Sequence, residues 1–151
     1  MQDFVHLHVH TQYSLLDGQA SVARLVDKAM KNGMKGIAMT DHGNMFGIKE
    51  FTNYVNNKNS GPKGEVKDLK KRIAGIEAGT IECEDKEAEI AACKAKIVEA
   101  ENKLFKPVIG CEMYVARRTM DLKEGKPDQS GYHLIVLAKN EKGYHNLIKL
   151  V

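Results

Sequence analysis

Cysteine is scarce in this sequence: Cys83, Cys93 and Cys111 are odd in number and form no CxxC pair. Neither a disulfide framework nor a zinc ribbon is indicated, and reduced thiols are the expectation. No apolar run approaches the roughly 20 residues needed to cross a bilayer, and residues 1–10 lack a basic stretch followed by an apolar core and a cleavage site. A cytoplasmic protein without a membrane partner is therefore expected. Charge of one sign is missing too, since 23 Lys and Arg stand against 20 Asp and Glu for a net +3. That excess is too small to argue for a nucleic-acid surface by itself. What remains is a chain of 151 residues, 42% apolar, long enough to bury the core of one globular domain.

The opening segment, Phe4-Val5-His6-Leu7-His8-Val9-His10, alternates large apolar residues with histidine, which is the period of a strand. Ser21 to Asn32 places Val22, Leu25, Val26, Ala29 and Met30 at helical spacing, with Ser21 as N-cap and Gly33 as stop. The buried-strand run Gly36-Ile37-Ala38-Met39 then leads into Thr40-Asp41-His42-Gly43. Strand, helix, strand reads as a β-α-β unit with a parallel sheet. Phe46 to Val55 reads as a helix that closes in the turn-prone run Asn56 to Pro62.

From about Gly64 to Lys106, Lys and Glu dominate and aromatics vanish until Phe105. Val66, Leu69, Ile73 and Ile76 step by three and four, as do Ile90, Cys93, Ile97, Ala100 and Leu104, with a break at Ala78-Gly79-Thr80. An inserted hairpin of two antiparallel helices with interspersed charge is expected, and no catalytic residue is assigned to it. Lys106 to Val115 is a strand carrying Glu112 in its middle, Tyr132 to Ala138 is a strand opening with His133, and Glu141 to Val151 begins a helix. That helix has no stop signal, so the chain is expected to be cut from something longer.

Chemistry here belongs to histidines and carboxylates. On a strand, His8 and His10 would project to one side about 6 to 7 Å apart, within reach of one metal or a tight cluster. An isolated HxH is weak, since solvated strand histidines are common. The case grows because Asp17, His42, Glu112 and His133 follow or lie within other strand-like segments. In α/β folds the carboxyl ends of strands converge on one rim. Imidazole mixed with carboxylate suits zinc, manganese or iron, and more than four candidates points to more than one ion. Such a site activates water against phosphorus, so phosphoester hydrolysis is the expected reaction class. Asp41 reads either as a residue orienting its neighbour His42 or as a turn or helix-capping carboxylate. His6 is given a supporting role, His145 a surface position, and Cys111, alternating with Glu112, a buried one.

His8-Val9-His10-Thr11, then Thr40-Asp41-His42, then Gly110-Cys111-Glu112 resemble successive motifs of the PHP superfamily (polymerase and histidinol phosphatase type) of metal-dependent phosphoesterases. Phe4 to Gly18, Thr40 to Gly47, Lys106 to Gly110 and His133 to Leu147 are similar to the PHP domains at the N-terminus of bacterial C-family replicative DNA polymerases. The likeness covers the chain apart from residues near 58 to 105. It implies a partial distorted (β/α) barrel of PHP type over residues 1–151, interrupted by the helical insertion at about 60–105. It also implies that His8, His10, Asp17, His42, Glu112 and His133 are metal ligands for two or three zinc, manganese or iron ions.

A complete site of this family takes three further ligands from later strands, which this chain does not supply, so isolated activity is expected to be weak or absent. The catalytic polymerase domains, with their magnesium, lie outside the chain. The parent implied is a nucleotidyltransferase of DNA replication, partnered by DNA and by other holoenzyme subunits, including a proofreading exonuclease. Its PHP region would be a metal-dependent 3′-5′ exonuclease. A stand-alone phosphatase of histidinol-phosphate type and a catalytically silent scaffold are the alternatives.

Overall fold

In the computed structural model, which describes residues 4–151, those residues form a mixed α/β structure of five helices and one three-stranded sheet. One compact unit joins the residues up to Tyr54 with Lys106–Val151, and Val55–Phe105 forms another.

Helix α1 (Val22–Lys31) starts where the sequence places its cap: the Ser21 hydroxyl accepts the Arg24 N–H at 3.4 Å. Val22, Val26 and Ala29 recur at helical spacing and are the buried stripe, while Lys28 and Lys31 face the negative end of the helix dipole. Gly33, at φ +76°, ends the helix in a left-handed turn. Strand β1 (Gly36–Met39) follows, wholly buried, and α1 packs on it. Burying Val22 and Val26 contributes about 1.5–3 kcal/mol each. Helix α2 (Ile48–Lys58) buries Ile48, Phe51 and Val55, which recur at helical spacing.

Strand β2 (Lys106–Val115) organises the sheet. Its first half pairs in parallel with β1, Gly36 opposite Lys106 through Met39 opposite Ile109. Its second half pairs antiparallel with β3 (Tyr132–Leu137), Gly110 opposite Leu137 through Val115 opposite Tyr132. The sheet is therefore mixed, not parallel throughout as the β-α-β reading has it. Helix α5 (Glu141–Leu150) is capped by Asn140, whose side chain accepts the Gly143 N–H, and it packs on β2 with Leu147 buried.

The opening segment is not a strand. Ala38 N–H donates to the His6 carbonyl and Thr40 N–H to the Val9 carbonyl, but the chain bends at Leu7 and His8. Val9 N–H goes to the Thr40 hydroxyl at 2.8 Å where a ladder would require a carbonyl. A side chain has taken the place of a backbone acceptor, and the regular pairing expected from the alternating sequence is lost.

In the second unit, α3 (Ser60–Glu77) and α4 (Lys86–Asn102) pack against each other as an antiparallel pair. Every apolar position of the expected seam is buried or half-buried. At its base, buried Asn59 donates to the Phe105 carbonyl at 2.8 Å and accepts the Phe105 N–H at 2.9 Å. The run expected to be a turn, Asn56 to Pro62, is instead helical on both sides of Asn59. Pro62 falls in the first turn of α3, where its missing N–H would have had no partner in any case.

Candidate metal centre

The site is built where β1 runs out. Beyond Met39 the chain continues beside β2 through one further parallel bridge, His42 opposite Glu112. Glu112 N–H donates to the Asp41 carbonyl at 3.1 Å, and Gly43 N–H donates to the Glu112 carbonyl at 2.8 Å. Gly43 turns the chain away at φ +63°, a conformation glycine adopts without strain. These bonds fix His42 beside Glu112.

Asp41 fixes the other half. Its buried carboxylate accepts the Thr11 N–H and the Ser14 hydroxyl, both at 2.6 Å on Oδ1, and the Thr11 hydroxyl at 2.9 Å on Oδ2. Ser14 Oγ in turn accepts the His42 N–H at 3.0 Å. The turn bearing His10 and Asp17 is thereby tied to the strand end bearing His42. Gly18 closes this turn so tightly that a Cβ there would meet the Thr11 carbonyl oxygen at 1.9 Å.

At the centre lies the Glu112 side chain, 6% exposed, with imidazoles around it. His10 Nε2 is 2.7 Å from Oε2, His42 Nδ1 is 3.1 Å from the same oxygen, and His133 Nδ1 is 3.0 Å from Oε1. His8 Nε2 stands 3.5 Å from Oε1 and 3.1 Å from His10 Nε2. His42 Nδ1 also lies 3.3 Å from Asp17 Oδ2. His8, Asp17 and His133 are about half exposed, so the cluster opens to solvent above the buried carboxylate. Burial pushes the Glu112 carboxyl up, but the fields of His10, His8, His133 and His42 outweigh it and hold the group below the usual carboxylate range.

All six residues expected as ligands are thus brought together. Their donor atoms form three overlapping groups, each within 4.8 Å: His8, His10 and Glu112; His10, Asp17 and His42; His42, Glu112 and His133. Glu112 Oε2 tests whether a cation suits them. It is buried and close to two ring nitrogens, yet neither is aligned to donate, so it has no hydrogen bond. A buried acceptor of this kind costs about 1–3 kcal/mol. Ring nitrogens and carboxylate oxygens that converge on one another this closely fit a divalent ion, and shared donors fit more than one. Imidazole with carboxylate is the donor chemistry of zinc, manganese or iron.

His6 stays outside the cluster, exposed, its carbonyl serving β1. His145 is on the surface beside Glu141. Cys111 is fully buried with its thiol on the Asp41 carbonyl at 3.4 Å, and burial pushes that thiol up, away from ligand chemistry. Tyr114 was not anticipated: its hydroxyl meets His42 Nε2, and it lies directly opposite His133 across the β2–β3 ladder. The available signal was its spacing, two residues beyond Glu112 and so on the same face of β2.

The PHP domain family model matches residues 6–97 and 88–151. The chain is 40% identical over 150 residues to the DNA polymerase III subunit alpha of Borreliella burgdorferi, covering 97% of this chain and 9% of that protein. It is 38% identical over 148 residues to the same subunit of Treponema pallidum, again 97% of this chain against 9% of the relative. For Aquifex aeolicus the figures are 33% over 155 residues, 99% and 10%. The chain spans about a tenth of the length of the relatives it matches. On the strength of the family match across nearly its whole length, this chain belongs to the PHP domain family.

Proposed function

We propose that this chain is the N-terminal metal-binding PHP region of a DNA polymerase III alpha subunit, and that its centre hydrolyses phosphodiesters at a DNA 3′ end. The observation that carries the reading is the buried, unbonded Glu112 Oε2 within reach of His10 and His42. His8, His10, Asp17, His42, Glu112 and His133 would hold two or three divalent ions, with Glu112 shared between them. When bound, such ions polarise a phosphoryl oxygen and acidify water, which is the chemistry of phosphoester hydrolysis.

The chain's own residues supply position. Asp41 locks Thr11 and Ser14, and through them His10 and His42, so that the donors keep their spacing when solvent enters. Tyr114 places a hydroxyl on His42 Nε2 and so helps to hold the ring with Nδ1 directed at Glu112 and Asp17. The relatives' name, DNA polymerase III subunit alpha, supports DNA and other replicative subunits as partners; a proofreading exonuclease among those subunits and a cytoplasmic setting belong to the same proposal. Residues 4–54 and 106–151 would form part of a (β/α) barrel, and the helical unit of Val55–Phe105 would be an insertion in it.

The test uses a full-length alpha subunit carrying this PHP region. Glu112→Gln should abolish metal-dependent release of labelled nucleotides from a DNA 3′ end while nucleotide incorporation continues. Equal release by both proteins would overturn the hydrolytic reading.

A further inference from the structure

We propose that Arg24 and Lys28 form a subsite for the phosphate next to the one at the metal centre, so that the site takes a phosphodiester strand and not a small phosphomonoester. The inference rests on the hydrolytic reading above and names its substrate class. A cleft of about 930 Å³ is lined by the donors His10 and Asp17 together with Gln19, Arg24 and Lys28. That volume suits a ligand larger than a single phosphate group.

Arg24 and Lys28 stand one helical turn apart on the exposed face of α1, separated by roughly 6 Å along its axis. The opposite face, Val22, Val26 and Ala29, is buried, which holds the helix in place with Arg24 and Lys28 exposed. Among the described residues neither cation has an ion-pair partner. Asp27, the acid between them in sequence, has its carboxylate engaged by the Tyr54 hydroxyl at 2.9 Å. Two uncompensated cations lining the same cleft as two donors of a cluster suited to a phosphoester match a ligand with successive phosphates. A lone phosphomonoester seated at the donors would leave Arg24 and Lys28 unused. Arginine supplies a planar fork and lysine a point charge, and both hold phosphate oxygens without reading a base.

The test measures binding, by fluorescence anisotropy, of a 5′-fluorescein hexathymidylate with phosphorothioate linkages to the 151-residue chain. Thymidine 5′-monophosphate serves as competitor, and metal content is read on the same samples. Arg24→Ala/Lys28→Ala should weaken the hexamer roughly tenfold and lower the salt slope by about 1.4. Metal content and competition by the monophosphate should be unchanged, and Arg24→Lys/Lys28→Arg should restore the slope. Wild-type affinity and slope in the alanine variant, failure of the wild-type chain to bind the hexamer, or an equal loss for the monophosphate would overturn the subsite. A wild-type chain that binds no metal but still loses the hexamer in the alanine variant would sink the hydrolytic reading and leave the subsite standing.

Discussion

Both carboxylate oxygens of Asp41 are occupied by Thr11, whose backbone N–H donates to Oδ1 at 2.6 Å and whose hydroxyl donates to Oδ2 at 2.9 Å. This buried pairing spans thirty positions of sequence and joins the turn carrying His10 to the strand end carrying His42. Asp41→Ala should leave the Thr11 and Ser14 donors unsatisfied and destabilise the chain by about 2–4 kcal/mol. In Asp41→Asn the size is kept but one acceptor becomes a donor, and metal affinity should fall about 10- to 100-fold with a smaller loss of stability. Urea midpoints and metal titrations of the two variants separate these effects. Unchanged metal affinity in both would show that Asp41 does not orient the ligands.

Gly18 and Gly64 should respond to alanine in opposite directions. A Cβ at Gly18 meets the Thr11 carbonyl oxygen at 1.9 Å, whereas one at Gly64, inside α3, meets nothing within 4 Å. Gly18→Ala should cost about 1–3 kcal/mol by forcing the turn open. Gly64→Ala should stabilise by about 0.5–1 kcal/mol, because alanine gives up less chain entropy in a helix. Chemical denaturation decides both signs.

Asn59 is replaceable only at a cost. Its amide exchanges two hydrogen bonds with the backbone of Phe105, and both residues are buried. Asn59→Ala strands the Phe105 N–H and carbonyl, and a loss of about 2–3 kcal/mol is expected in thermal or urea unfolding. A shift under 0.5 kcal/mol would mean that water replaces the amide freely.

The connection between β2 and β3 carries the clearest pH dependence. Arg118 holds the Asp128 carboxyl below its usual range, chiefly through hydrogen bonds, and the Glu124 N–H also donates to it. A carboxyl lowered by folding adds order that is complete above its unfolded range and lost as pH falls through the lowered value. Amide exchange at Glu124 should therefore be protected at neutral pH relative to an Arg118→Ala variant, and the difference should vanish in acid. Equal protection in both proteins at neutral pH would contradict it.

The helices and strands most readable from sequence were those set by local pattern. Ser21, the Val22-Val26-Ala29 stripe and Gly33 delimit α1 through contacts within a few residues, and the Lys106 to Val115 strand was legible with Glu112 in it. The opening segment misled because its period-2 pattern does not reveal that the Thr40 hydroxyl intercepts the Val9 N–H. Strand direction was hidden for a similar reason, since β2 changes partner halfway along, at Gly110. The histidines and carboxylates could be proposed from type and spacing alone. The Thr11–Asp41–Ser14 network could not, because it exists only once distant segments meet, and Tyr114 gains its place from the register opposite His133.

Whether Glu112 and its surrounding imidazoles hold divalent metal is decided by metal content per chain, measured by plasma mass spectrometry. The measurement compares wild type, Glu112→Gln and His8→Ala/His10→Ala after dialysis against metal-free buffer, with circular dichroism confirming that all three are folded. Stoichiometric zinc, manganese or iron in the wild type, lost from both variants, is the expected result. Metal-free wild-type protein, or metal retained equally by the folded variants, would mean that the cluster is not a metal site.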